Sequence, residues 1–214
     1  ITSAGERIGG LFGNVEVSKS KKVDTVTEYE QKFLTLEGKF ENSGKLSGTS
    51  AYANSNTMGG IVGIVSGSLR VTEGSAVLNS GDIFTTGTST FGGIVGSVSY
   101  SNTDCSVIFD GNATNLGNLY TENASTVGGI IGTLSGNSAT YIKTVFLGGK
   151  GKLLNEGNIL GQGTLGGIFG NVSRINAGSV EIDFAGGAEN RGEIIGKAGT
   201  VGGLGGNVGL SNTT

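Results

Sequence analysis

The sequence predicts an all-β fold, a parallel β-helix (solenoid) of tandem repeats about 36 residues long. Three observations predict it. A motif T-Φ-G-G-Φ-Φ-G-x-Φ, with Φ apolar, recurs along the chain. A second motif, N-x-G-x-[IL], keeps step with it. A third segment of alternating apolar residues lies between the two. Each unit is too poor in apolar residues to fold alone, so copies must stack and share a core.

The Gly-Gly motif reads TMGGIVGIV at 57–65, TFGGIVGSV at 90–98, TVGGIIGTL at 126–134, TLGGIFGNV at 164–172 and TVGGLGGNV at 200–208. A sixth copy, RIGGLFGNV at 7–15, carries Arg7 in place of the threonine. Successive Gly-Gly pairs lie 50, 33, 36, 38 and 36 residues apart. Read as one continuous strand, the motif puts two columns on the inner face, because residues four apart share a side. The first is Leu11, Ile61, Ile94, Ile130, Ile168 and Leu204; the second is Val15, Val65, Val98, Leu134, Val172 and Val208. Glycine is a poor strand former, so its presence here implies that another wall of the coil approaches closely.

The corner motif occurs at 42–46, 79–83, 115–119, 155–159 and 190–194. Its asparagines, Asn42, Asn79, Asn115, Asn155 and Asn190, are expected to stack as a hydrogen-bonded ladder. The glycine two residues on is expected to supply a positive φ. The alternating segments are CSVIF (105–109), IKTVF (142–146) and VEIDF (180–184). Each repeat thus offers about three strands, and whether it closes one coil or two is left open. The whole chain, 1–214, reads as a single solenoid domain with copies near 1–41, 42–78, 79–114, 115–154, 155–189 and 190–214. The long first interval reflects a charged insertion, 16–41, holding 11 of the 31 charged residues. It reads as a protruding loop or extra hairpin, either merely solvated or a contact surface.

Composition narrows the function. The net charge is −3 and 14% of residues are charged, so no basic face for nucleic acid is expected. No apolar run is long enough for a transmembrane segment. The opening ITSAGERIGG lacks a signal-peptide pattern. Proline and histidine are absent. Without histidine there is no Ser-His-Asp or Cys-His arrangement, and the expectation is no enzyme, no cofactor and no metal site. Gly161, Gly163 and Gly166 spell G-x-G-x-x-G but run into a strand rather than opening a helix. Polysaccharide-degrading β-helices use carboxylate clusters; Glu181 and Asp183, two apart, would share one strand face, and Asp104 and Asp110 flank another strand. Alternation of Glu181 and Asp183 with Val180, Ile182 and Phe184 points that pair outward. Cys105 reads as a small buried hydrophobe. The sequons at Asn112, Asn123, Asn171 and Asn212 carry no weight in so Asn- and Thr-rich a chain. Thr57, Thr90, Thr126, Thr164 and Thr200 form a hydroxyl column, read as a structural ladder and, alternatively, as an ice-binding face.

The other face of the Gly-Gly strand is also apolar. Met58, Val62, Phe91, Val95, Val127, Ile131, Leu165 and Phe169 are therefore expected to form an assembly face, covered by loops of the chain or by another subunit. On that reading, lysines at 91 and 169 leave the fold intact and weaken lateral association.

The G-G-[IL]-[VIF]-G core resembles the GGLVG-type (GLUG-like) repeats of large bacterial surface and secreted proteins, over nearly the whole chain through six copies. A looser likeness, through Phe109–Asn112 as FxxN, is to chlamydial-type polymorphic outer-membrane proteins. The resemblance implies an extracellular or cell-surface β-helical stalk or adhesin, and assigns no catalytic residue. The expected function is a structural, non-catalytic solenoid: a surface stalk, an adhesin repeat region, or the subunit of a filament or sheath. It would self-associate end to end or laterally, with a glycan or cell-surface partner possible. A glycan- or ice-binding module is the alternative, and a polysaccharide-degrading enzyme ranks third.

Overall fold

The computed structural model describes residues 1–17, 19–23, 26–49, 56–100, 104–136, 144–175 and 179–211. Among them every regular element is a β-strand, and every ladder but one is parallel. The chain winds through four sheets, one repeat per coil. Sheet I has nine strands. Its leading arm is Thr2–Ser3, Leu46–Gly48 and Ile83–Thr85, and its trailing arm is Arg7–Gly9, Asn56–Gly59 and Ser89–Gly92. The arms fuse in Leu119–Gly128, Ile159–Gly166 and Ile194–Gly202. Sheet II stacks six strands, Phe12–Glu16, Val62–Ser66, Val95–Tyr100, Ile131–Gly136, Phe169–Ile175 and Gly205–Ser211. Sheet III has five, Phe33–Leu36, Ser68–Val71, Cys105–Phe109, Thr144–Gly149 and Ser179–Phe184. Sheet IV has five, Lys39–Asn42, Ala76–Asn79, Asn112–Asn115, Leu153–Asn155 and Ala188–Asn190.

A coil therefore holds four or five strands, not three, because the Gly-Gly motif is not one strand. It ends a strand of sheet I at Gly59, turns, and begins sheet II at Val62. At the first five turns two successive N–H groups donate to one carbonyl of the next coil, as Ile61 and Val62 do to Ile94 O at 2.9 and 3.0 Å. The turn changes which residues point inward. Ile61 and Val65 are buried as their columns predict, and so are Met58 and Val62.

The interior has two compartments. One, between sheets II, III and IV, contains Ile61, Val65, Leu69, Val107, Phe109 and their column mates. The other lies between the two arms of sheet I, where Leu46, Ile83, Leu119 and Ile159 pack with Met58, Phe91, Val127 and Leu165. Full burial of each such side chain contributes about 1.5–3 kcal/mol.

The asparagine ladder stands at the waist where the Gly-Gly corners approach. Asn42 donates to Asn79 Oδ1 at 2.8 Å, Asn79 to Asn115 at 2.8 Å, Asn115 to Asn155 at 2.8 Å and Asn155 to Asn190 at 2.7 Å. Each amide spends its other hydrogen on the glycine carbonyl two residues on, as Asn79 does on Gly81 at 2.8 Å. Both N–H bonds of each buried rung are thereby satisfied. The glycine of this motif, however, has no positive φ; Gly81 is absent from the positive-φ glycines, which include Gly38, Gly67 and Gly74. It is glycine for room, since a Cβ at 81 would lie 2.2 Å from the Gly44 carbonyl oxygen of the preceding coil.

The insertion is shorter than 16–41. Lys19–Val23 pairs antiparallel with Val26–Glu30 as a separate two-stranded hairpin. Phe33–Leu36 and Lys39–Asn42 are ordinary rungs of sheets III and IV.

Candidate assembly surfaces

The eight residues expected to form an outer assembly face are interior. Met58, Val62, Phe91, Val95, Val127, Ile131 and Leu165 are fully buried and Phe169 is 5% exposed. The chain itself covers them. Met58, Phe91, Val127 and Leu165 face the leading arm of sheet I, while Val62, Val95, Ile131 and Phe169 lie in the larger compartment. The expectation of a second apolar face followed from carrying a two-residue alternation through the Gly-Gly turn, where the chain changes sheets. One signal was legible: every aligned position in these columns is apolar until Gly205 ends one of them.

Exposed apolar surface is found instead at the two ends of the stack. The C-terminal coil leaves Val201, Leu204 and Val208 at 47%, 43% and 54% exposure. The N-terminal coil leaves Leu11 and Phe12 at 44% and 38%. These are members of the same columns whose middle residues are fully buried.

The threonine column is a ladder on the outside of sheet I. Thr57, Thr90, Thr126, Thr164 and Thr200 pair in register, with Arg7 beside Thr57. With Thr88, Ser89, Ser125 and Gly163 the middle rungs line an open groove of about 430 Å³. Beneath it hydroxyls bond to one another, Thr85 with Ser89 at 3.0 Å and Thr121 with Ser125 at 2.9 Å. Farther along the same sheet Phe84 and Tyr120 stack with centroids 5.1 Å apart and planes within 3°. Each ring thus spends one face on the other.

Glu181 and Asp183 are exposed, and the neighbouring Ile182 is 37% exposed because sheet III ends at that strand. A charged cluster lies at the last strands of sheet IV. Arg191 contacts Glu189 at 2.7 Å and Glu156 at 2.8 Å, and Lys152 contacts Glu189 at 2.9 Å. The Arg191 hydrogen bonds, then the Lys152 bond, hold the Glu189 carboxyl down from 4.5 to about 2. Among the described residues no group of three or more acidic, Cys or His side chains is placed to hold a metal ion. Likewise no helix there is long and apolar enough to cross a membrane.

Cys105 is buried, its thiol donating to Gly67 O at 3.4 Å. Gly161, Gly163 and Gly166 lie within the strand Ile159–Gly166. Asn112 and Asn123 are exposed and Asn171 half-buried, while Asn212 lies outside the described residues. No family model, curated protein or solved structure matches the chain.

Proposed function

We propose that this chain is a structural, non-catalytic solenoid segment displayed outside the cell, as part of a surface stalk, an adhesin repeat region or a filament subunit. One observation carries the reading: the buried asparagine ladder runs without a break through all five rungs of sheet IV. A polar core shared by the five coils that contribute to sheet IV ties them into one axial unit, since removing one rung orphans its neighbours. The extracellular placement draws its support from the likeness of the Gly-Gly core to GGLVG-type surface repeats. Negative-stain electron microscopy of the purified chain tests the reading. Filaments of uniform width support a filament subunit, whereas isolated particles about 29 Å along the stack, the height of six rungs, oppose that form of the reading. Protease treatment of intact cells bearing the native protein tests the placement, because a surface segment is cleaved and an internal one is spared.

A second reading, a glycan-binding module, is favoured by the hydroxyl-lined groove along Thr90, Thr126 and Thr164. A glycan array comparing the natural chain with Thr126→Val separates the two. Binding lost in the variant supports the module, and no binding by either leaves the structural role.

A further inference from the structure

We infer that the outer face of the leading arm of sheet I pairs with the same face of a second copy of this chain, the two stacks lying side by side with parallel axes. The inference rests on the structural reading above and names the partner and the surface.

This face is apolar along a line. Ser47, Phe84, Tyr120, Leu160 and Ile195 pair in register, one per rung. They alternate with the inward Leu46, Ile83, Leu119, Ile159 and Ile194, so they share the outer side. Phe84, Tyr120 and Leu160 stay half-exposed in the three middle rungs, with coils on both sides of them. The outer column of the trailing arm is threonine instead.

The polar flanks choose the partner. Two residues before the stripe stand Lys45, Asp82, Asn118, Asn158 and Glu193, and two after it stand Thr49, Thr86, Glu122, Gln162 and Lys197. Residues two apart share a strand face. The first flank is fixed along the stack. Asp82 Oδ1 accepts from Asn118 N–H at 2.9 Å, Asn118 Oδ1 from Asn158 N–H at 3.1 Å and Asn158 Oδ1 from Glu193 N–H at 2.9 Å. The second flank passes register shifts just beyond Tyr120 and Gly161, where the Gln162 amide donates to Glu122 O at 2.8 Å and keeps the coils in step.

A twofold axis along the stack, over the stripe, sets each rung against the same rung and each flank against the other. The stripe then covers itself, Tyr120 on Tyr120. The Thr86 hydroxyl meets the Asp82 carboxylate, the Asn118 amide meets the Glu122 carboxylate, and Lys197 meets Glu193. Symmetry makes each pair twice, as an isologous contact requires. An axis across the stack at the middle rung would gain Lys45 on Glu193 but would set Glu122 on Glu122, and like charges select against it. Three columns on five rungs cover about 400 Å² of each copy, roughly half a standard interface, so the pair is weak.

Cross-linking of single-cysteine variants by a short bis-maleimide, over a concentration series, tests this; the native Cys105 is buried. Phe84→Cys and Leu160→Cys should each join to itself, whereas Thr114→Cys, on the outside of sheet IV, should stay monomeric. Adding Tyr120→Lys to either reactive variant should abolish the product. Glu193→Lys should reduce it several-fold, and Glu193→Lys with Lys197→Glu should restore it. Circular dichroism checks that each variant folds; if Phe84→Cys does not, Leu160→Cys carries the test. Absence of self-linked product overturns the pairing, as does equal linking by Thr114→Cys. A mixture of Phe84→Cys and Leu160→Cys that links only 84 to 160 overturns the parallel arrangement, and so does a charge swap that restores nothing. Micrographs judge the structural reading separately: filaments without these cross-links keep that reading and sink the pairing.

Discussion

Gly60 sits against Asn79 so closely that a Cβ at position 60 would lie 2.4 Å from the asparagine Cγ and 2.0 Å from Gly93 O. This contact joins the two repeat motifs: the Gly-Gly corner seals the waist that the asparagine ladder forms. Both contacts are with parts that cannot swing aside, a backbone carbonyl and a side chain bonded at both ends. Gly60→Ala should therefore destabilise by about 1–3 kcal/mol or more, the range for overpacking. Thermal unfolding of this variant beside Gly203→Ala gives the comparison, and the latter should melt like the natural chain.

Replacing Asn115 by leucine should cost at least as much. The change leaves the Asn79 amide donor and the Asn155 carbonyl oxygen without partners inside the protein. Each orphaned buried group costs about 1–3 kcal/mol. Denaturant unfolding should show a lower midpoint, and a smaller loss for Asn42→Leu, which ends the ladder and orphans one rung, Asn79, besides the exposed Gly44.

Phe91→Lys should prevent folding, contrary to what an outward-facing assembly column implies. Phe91 is among the largest fully buried side chains, and so is Ile130, for which Ile130→Asp makes the matching test in the other compartment. An unpaired buried charge has no compensating partner in either place. Far-ultraviolet circular dichroism would check both; a native β spectrum for either variant contradicts its assigned position.

The cluster around Glu189 makes the last full coil sensitive to acid. Its folded carboxyl titrates at about 2, below the ordinary 4.5, so its contribution to stability is present above about pH 4.5 and is lost as pH falls toward 2. The Glu189 side chain is 41% exposed, so the effect is small and salt weakens it. The melting difference between the natural chain and Glu189→Gln should be largest near pH 6, shrink toward pH 2 and shrink in high salt.

Excising Lys19–Glu30 and bridging the ends with a short turn should leave the solenoid standing. Among the described residues its two strands pair only with each other. Gln31 should be retained, because its amide donates to Ser68 and Ser106 at 3.0 Å each and so ties two coils of sheet III. An unchanged melting temperature is the expected result.

The sequence by itself determined the stack. Its period, the Ile61, Ile94, Ile130 and Ile168 column and the asparagine ladder were all legible, because each is set by residues repeating at one place in every coil. Stacking then aligns them whatever path the coil takes between. Only the tertiary structure decided that path. The turn at Gly59–Gly60 moves the chain from sheet I to sheet II, which brings Met58 and Val62 inside together with Ile61, a result no two-residue alternation yields. It also decided why particular glycines are required: Gly81 for the approach of a neighbouring backbone rather than for a left-handed φ. Such contacts join residues some 36 positions apart, across coils. Likewise Leu204 and Ile168 hold the same place in one column, yet among the described residues Leu204 is 43% exposed and Ile168 fully buried.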